Sequence, residues 1–169
     1  MICVDEMGPV SAKTYLCRRW ADQGHPPKVE ADYGRRAKVW TFGAFEPKTG
    51  QALTCCAERR RSCDFVAFLE QLLKTWPQGK LILILDNLSV HRSQEVQLWA
   101  LANERVRFLF QPTYAPWLNL IEPWWKTLRS LALKGYCFEG AIDLVMAISG
   151  ATTYWNEHRH PYLWRKQYQ

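Results

Sequence analysis

No apolar run among the 169 residues approaches the roughly 20 that a membrane-spanning helix requires; Leu81–Leu85 is typical of the longest. Met1-Ile2-Cys3-Val4 meets Asp5 at once, with no basic stretch and apolar core ahead of it, so no secretory signal is expected. Glycine and proline, nine of each, are too few and too scattered to form a linker, and no internal repeat divides the chain. Neither G-x-S-x-G, G-x-x-x-x-G-K-[ST] nor G-x-G-x-x-G occurs, which argues against a serine hydrolase, a P-loop enzyme and a dinucleotide enzyme. The six cysteines contain no Cys-x-x-Cys pair, and Cys55-Cys56 are adjacent, so reduced thiols packed as small hydrophobes are expected.

What is present points to one ordinary folded domain over residues 1–169. Hydrophobic residues make up 48% of the chain, enough to offset the ordering entropy that keeps polar chains disordered. Acids are outnumbered 16 to 22, giving a net charge of +6 that favours polyanionic partners without requiring them. Met1–Val4 reads as a short strand running into Asp5, and residues 8–34 read as turn-rich, with Gly8-Pro9, Gly24, Pro26-Pro27 and Gly34. Lys38–Phe45 and Ala52–Ala57 flank Pro47-Lys48-Thr49-Gly50 as a hairpin. Phe65, Phe68, Leu69, Leu72, Leu73 and Trp76 keep helical spacing until Pro77 and Gly79 stop it. Leu81–Leu85 reads as a strand buried on both faces, followed by a helix over Ser93–Asn103 and a strand over Val106–Phe110. Helices from about Leu120 to Leu133 and from about Glu139 to Trp155 complete the order. The expected class is α/β, a mixed central sheet with helices on both faces.

Three carboxylates occupy telling positions. Asp5 ends the first strand, Asp86 ends the buried run, and Glu122 opens a helix with Pro123 in its first turn. Sites in open α/β sheets form at the carboxyl ends of strands, and Asp5 and Asp86 come side by side if their strands are neighbours. Converging acids repel, and a hard divalent cation relieves that repulsion. Two Mg²⁺ or Mn²⁺ ions about 4 Å apart can activate a nucleophile and stabilise a leaving oxygen. Each acid also has an ordinary reading: Asp5 and Glu6 as solvated acids, Asp86-Asn87 as turn chemistry, Glu122 as a helix-dipole partner. Glu122, Lys126 and Arg129 share a helix face that would suit a phosphate backbone or simply carry an i,i+4 ion pair. Trp117 would stack on a base or pack under its loop, and His91 borders the site five residues beyond Asp86. Glu157-His158-Arg159-His160 lacks the spacing of a helical zinc site and reads as surface.

Three stretches together resemble one family: Val4-Asp5-Glu6-Met7-Gly8-Pro9, Leu85-Asp86-Asn87-Leu88-Ser89-Val90-His91, and the fifteen residues from Pro112 through Trp117-Leu118-Asn119-Leu120-Ile121-Glu122-Pro123-Trp124-Trp125 to Lys126. They are similar to the DDE transposases of the insertion-sequence family numbered 630, relatives of the Tc/mariner group, and 35 residues lie between Asp86 and Glu122, as in such enzymes. The resemblance implies a ribonuclease H-like fold and Asp5, Asp86 and Glu122 as the metal-binding triad. It implies metal-dependent cleavage at transposon ends and transfer of the freed 3′-hydroxyl into target DNA by a homo-oligomer in a synaptic complex. It further implies a bacterial cytoplasmic protein that acts at the nucleoid. Asn87, His91, Trp117, Asn119, Lys126 and Arg129 become candidate DNA or supporting contacts. The family's helix-turn-helix modules, which read transposon ends, do not precede Asp5 here, so a single catalytic domain is expected. The rival expectations are a ribonuclease H-like nuclease or resolvase without strand transfer, and a truncated regulator of a full-length transposase.

Overall fold

The strand that begins the chain is also the one on which the sheet is centred. In the computed structural model, which describes residues 1–16, 36–113 and 118–162, β1 (Ile2–Ser11) pairs antiparallel with β2 (Lys38–Glu46) on one side. On its other side it pairs parallel with β4 (Leu81–Leu85). β3 (Gln51–Ala57) extends the sheet beyond β2, and β5 (Val106–Phe110) extends it beyond β4, giving the order β3-β2-β1-β4-β5. The hairpin between β2 and β3 turns through Pro47–Gly50. Gly50 takes φ +75°, a left-handed conformation that suits glycine, and its N–H donates to the Glu46 carbonyl at 2.8 Å.

Parallel strands need crossovers, and helices supply them. α1 (Ser62–Thr75) and α2 (Gln94–Ala102) cover one face of the sheet, while α3 (Ile121–Ala132) and α4 (Ala141–Glu157) cover the other. The alternation of β1 sorts its side chains between the two layers. Ile2 and Val4 pack with Phe65, Phe68 and Leu83 beneath α1, and Cys3 and Met7 pack with Trp124, Trp125 and Leu128 beneath α3. α4 is pinned to the hairpin by the Asn156 side chain, which accepts from Ala52 N–H at 2.9 Å and donates to its carbonyl at 2.8 Å. Trp155 Nε1 adds a bond to the Gly50 carbonyl at 2.7 Å.

Three elements differ from the sequence reading. β1 does not stop at Val4: it continues through Gly8-Pro9 to Ser11, because the pairing with β2 shifts register between Met7 and Val10. A bulge there accommodates a proline that cannot donate to the ladder. β4 is covered fully on one face only. Leu81, Leu83 and Leu85 are buried, whereas Ile82 is 42% exposed, since α3 and α4 pack over the β1–β3 half of the sheet. A 3-10 turn, Ser89–Arg92, precedes α2, and Ser93 caps that helix by accepting the Val96 N–H at 3.4 Å.

Gly43 of β2 lies opposite Asp5 in the ladder, and a Cβ there would meet Cη2 of Trp125 at 2.3 Å. Its bare backbone makes room for the indole. Gly43→Ala is expected to cost about 1–3 kcal/mol by overpacking. At roughly 2–4 °C per kcal/mol for a chain of this size, the loss is measurable by thermal melting. Gly150→Ala, in α4 with open space around it, is expected to be neutral or stabilising in the same assay.

Candidate active site

Ile2 of β1 stands beside Leu83 of β4 and Cys3 beside Ile84; the same register carried two residues further sets Asp5 beside Asp86. Asp5 leaves the sheet on the side of α3, by the alternation that places Cys3 and Met7 there. Asp5 is the more buried. Its Oδ2 accepts a hydrogen bond from Trp125 Nε1 at 3.0 Å. Burial raises its carboxyl to about 7, against the opposing pull of the Trp125 bond, and the nearby charges of Glu6 and Glu122 push in the same upward direction.

Asp86, with a side chain 41% exposed, sits just past β4 and is held by its own turn. Oδ1 accepts the Leu88 N–H at 3.0 Å and lies 3.0 Å from His91 Nδ1. Partial burial alone would raise this carboxyl. The His91 and Leu88 hydrogen bonds, with the charges of His91 and Arg60, outweigh it and hold Asp86 below its ordinary value. His91 is fully buried against Phe65, ring centroids 4.6 Å apart, and its Nε2 lies 2.7 Å from Glu6 Oε1. Burial works against the imidazolium, but the bonds to Asp86 and Glu6 raise His91 to about 9. Glu6 is therefore no solvated acid: its side chain is 1% exposed.

α3 brings the third acid to the same side. Asn119 anchors the start of the helix by donating from Nδ2 to the Val4 carbonyl at 3.1 Å and accepting the Ile121 N–H on Oδ1 at 3.4 Å. Its side chain is thus buried against β1 and not turned outward to DNA. Glu122, in the first turn, is exposed, and Trp125 one turn on points at Asp5. Lys126 and Arg129 are exposed on the same helix, with Arg129 Nε against Met7 Sδ at 3.1 Å. Asn87 uses its side chain structurally, donating to the Gln111 carbonyl at 2.6 Å and accepting from Arg92. Trp117 lies outside the described residues.

Among the described residues no three His, Cys, Asp or Glu side chains are gathered closely enough to form a ready metal cage. Asp5 is turned to Trp125 and Glu122 stands in solvent. The donor chemistry nonetheless fits a hard divalent cation: the set is all carboxylate oxygen, and Asp5, raised by burial and by the charges of Glu6 and Glu122, is the acid whose ionised form a cation would favour most. The sequence reading had not placed three supports: Trp125, Gly43 and Glu6. Each left a signal. Trp125 follows Glu122 at i+3, Gly43 is an isolated glycine within a strand, and Glu6 is the out-of-phase neighbour of Asp5.

A carboxyl raised from 3.8 to about 7 favours the folded state when protonated, so that contribution is lost as pH rises from about 4 through 7. His91, raised from 6.5 to about 9, contributes stability that is complete below about 6.5 and is lost as pH rises through 9. Asp5→Asn is expected to abolish the first decline and to melt higher than the wild type at pH 8, by an amount on the order of a few kcal/mol. Added Mg²⁺ or Mn²⁺ is expected to stabilise the wild type at that pH and leave Asp5→Asn unmoved. Differential scanning fluorimetry across pH checks both.

Comparison with known proteins bears on the family and the fold. A family model described as DDE superfamily endonuclease matches residues 1–144. The insertion element IS630 uncharacterized 39 kDa protein of Shigella sonnei is 30% identical over 118 residues, 69% of this chain and 34% of that protein. Among solved structures, the Mos1 transposase paired-end complex with the left transposon end superposes with a TM-score of 0.67 at 14% identity, covering 95% of this chain and 48% of that one. The Mos1 mariner paired-end complex with Mn gives 0.66 at 15% identity, over 95% and 49%. The chain thus spans from about a third to half the length of these relatives. The fold is ribonuclease H-like, the resemblance to the Tc/mariner-type transposases stands, and the chain belongs to the DDE superfamily endonuclease family.

Proposed function

We propose that this chain is the catalytic domain of a transposase. In this reading it cleaves DNA phosphodiesters at the ends of a mobile element and joins the freed 3′-end to target DNA. The observation that carries it is that Asp5 on β1 and Asp86 just past the end of β4 follow the register of two adjacent parallel strands, with Glu122 in the first turn of the helix packed over β1. Asp5, Asp86 and Glu122 would hold Mg²⁺ or Mn²⁺, probed as one or two ions per site. Such ions, when bound, activate an attacking water or hydroxyl and stabilise the departing oxygen.

The chain's own residues do the rest. Trp125 orients Asp5 by donating to its Oδ2. Asn119 fixes the first turn of α3, and with it Glu122, to β1. The exposed cations Lys126 and Arg129 on α3, and Arg60 stacked on Trp40 at 4.7 Å, supply positive charge for a phosphate backbone. The active form would be an oligomer that holds two DNA ends together, with one catalytic domain in each chain, working at the bacterial nucleoid.

Supercoiled plasmid at low salt with Mn²⁺ tests this. Nicking is expected from the wild type and is expected to fall at least a hundredfold in Asp86→Asn, since removing a principal charge-stabilising group costs on the order of 10²–10³. Given a pre-cleaved 3′-end and a second duplex, the wild type is expected to join them. Nicking without joining would favour a nuclease or resolvase, and no activity under either condition would overturn the autonomous-enzyme reading.

A further inference from the structure

Asp86 stands beyond the last hydrogen-bonded residue of β4, so the strand does not fix its rotamer. What does fix it comes from the opposite face of the sheet. Glu6 follows Asp5 in β1 and, by strand alternation, points to the α1 side, away from the site. There its Oε1 meets His91 Nε2 at 2.7 Å, and the other ring nitrogen, Nδ1, is shared between Asp86 Oδ1 at 3.0 Å and the Asp86 backbone carbonyl at 3.3 Å, so it holds both the side chain and the backbone of that residue. The imidazole is 0% exposed and is packed on Phe65, in a 3-10 turn that leaves it little freedom. Among the described residues Glu6 Oε2 is buried with no hydrogen-bond partner, and the link to His91 is the one polar tie of that carboxylate.

We propose that Glu6 and His91 form a buried positioning relay that locks the Asp86 carboxylate in one orientation, with Oδ1 held internally and Oδ2 presented as the single oxygen for a cation. The inference rests on the cation-binding reading of Asp5, Asp86 and Glu122. It follows from which atoms are occupied. Oδ1 already receives the Leu88 N–H and His91 Nδ1, which fills its acceptor positions, and nothing comparable engages Oδ2 among the described residues. Two consecutive residues of one strand thereby serve both acids of the site, Asp5 directly and Asp86 through Glu6 and His91 from behind the sheet. His91 is a positioning residue in this scheme and touches no substrate. Partners that hold a metal-ligating group in place commonly govern affinity as strongly as some ligands do.

The test is Mn²⁺ affinity of the whole chain, read by electron paramagnetic resonance of the free ion, with each variant's melting curve recorded alongside. The wild type is expected to bind and Asp86→Asn to lose binding. His91→Gln, whose amide replaces Nε2 but not Nδ1, is expected to bind about 10- to 100-fold more weakly. His91→Asn, whose amide nitrogen stands near Nδ1, is expected to recover most of that loss. Glu6→Gln keeps the acceptor and is expected to show a smaller loss in the same direction, which covers the case in which His91→Gln does not fold. Binding lost in Asp86→Asn but unchanged in folded His91→Gln or Glu6→Gln would overturn the relay alone. Equal losses in His91→Gln and His91→Asn, tracking melting temperature, would reduce the pair to fold stability and also overturn it. A wild type that does not bind Mn²⁺, or an Asp86→Asn that binds as the wild type does, would overturn the cation-binding reading and the relay with it.

Discussion

Parallel pairing of β1 with β4 is the constraint on which everything else in this molecule depends. It sets Asp5, within β1, beside Asp86, just past the end of β4, and dehydration works against the charge of each. The surrounding residues bear that cost unequally. Asp86 is relieved by a histidine, a backbone N–H and the charge of Arg60, and ionises readily. Asp5 is more deeply buried, and the hydrogen bonds from the indole of Trp125 and the Glu6 backbone leave it raised to about 7.

The packing shows how far the fold goes to maintain that arrangement. Gly43 leaves the space that Trp125 fills, Trp125 reaches Asp5, and Asn119 ties the start of the same helix to the strand that bears Asp5. On the other face Phe65 supports His91, and His91 connects Glu6 to Asp86. Both faces of β1 therefore converge on Val4, Asp5 and Glu6. This explains why the strand is long and continues past Gly8-Pro9, where turn chemistry alone would end it: pairing with β2 through Val10 and Ser11 holds residues 5 and 6 away from a fraying end.

Much of this was legible in the sequence, and the limits were physical ones. Hydrophobic period separated α1 and α3 from the strands, and the positions of Asp5, Asp86 and Glu122 at element ends marked the site because polar residues there have no packing reason to follow apolar runs. The continuous run Leu81–Leu85 gave no sign that Ile82 would be exposed, since burial depends on which helices reach that part of the sheet. Glu6 and His91 were ambiguous for a related reason. An acid after an acid reads as a solvated pair and a histidine after a turn as a residue bordering the site, and only the approach of residues 85 apart shows that each makes the other's burial tolerable. Asn87 and Asn119 read as substrate contacts but turn their amides to backbone carbonyls, a use that spacing alone does not distinguish.

The most direct test of the account is an anomalous-scattering map from crystals of this chain soaked in Mn²⁺ near pH 8. The expected result is a peak between Asp5 and Asp86 within coordination distance of Asp86 Oδ2, with Asp5 reoriented toward it and away from Trp125. A peak elsewhere on the protein, or no peak beside two ordered and ionised carboxylates, would contradict the claim that this strand pair is built around a divalent cation.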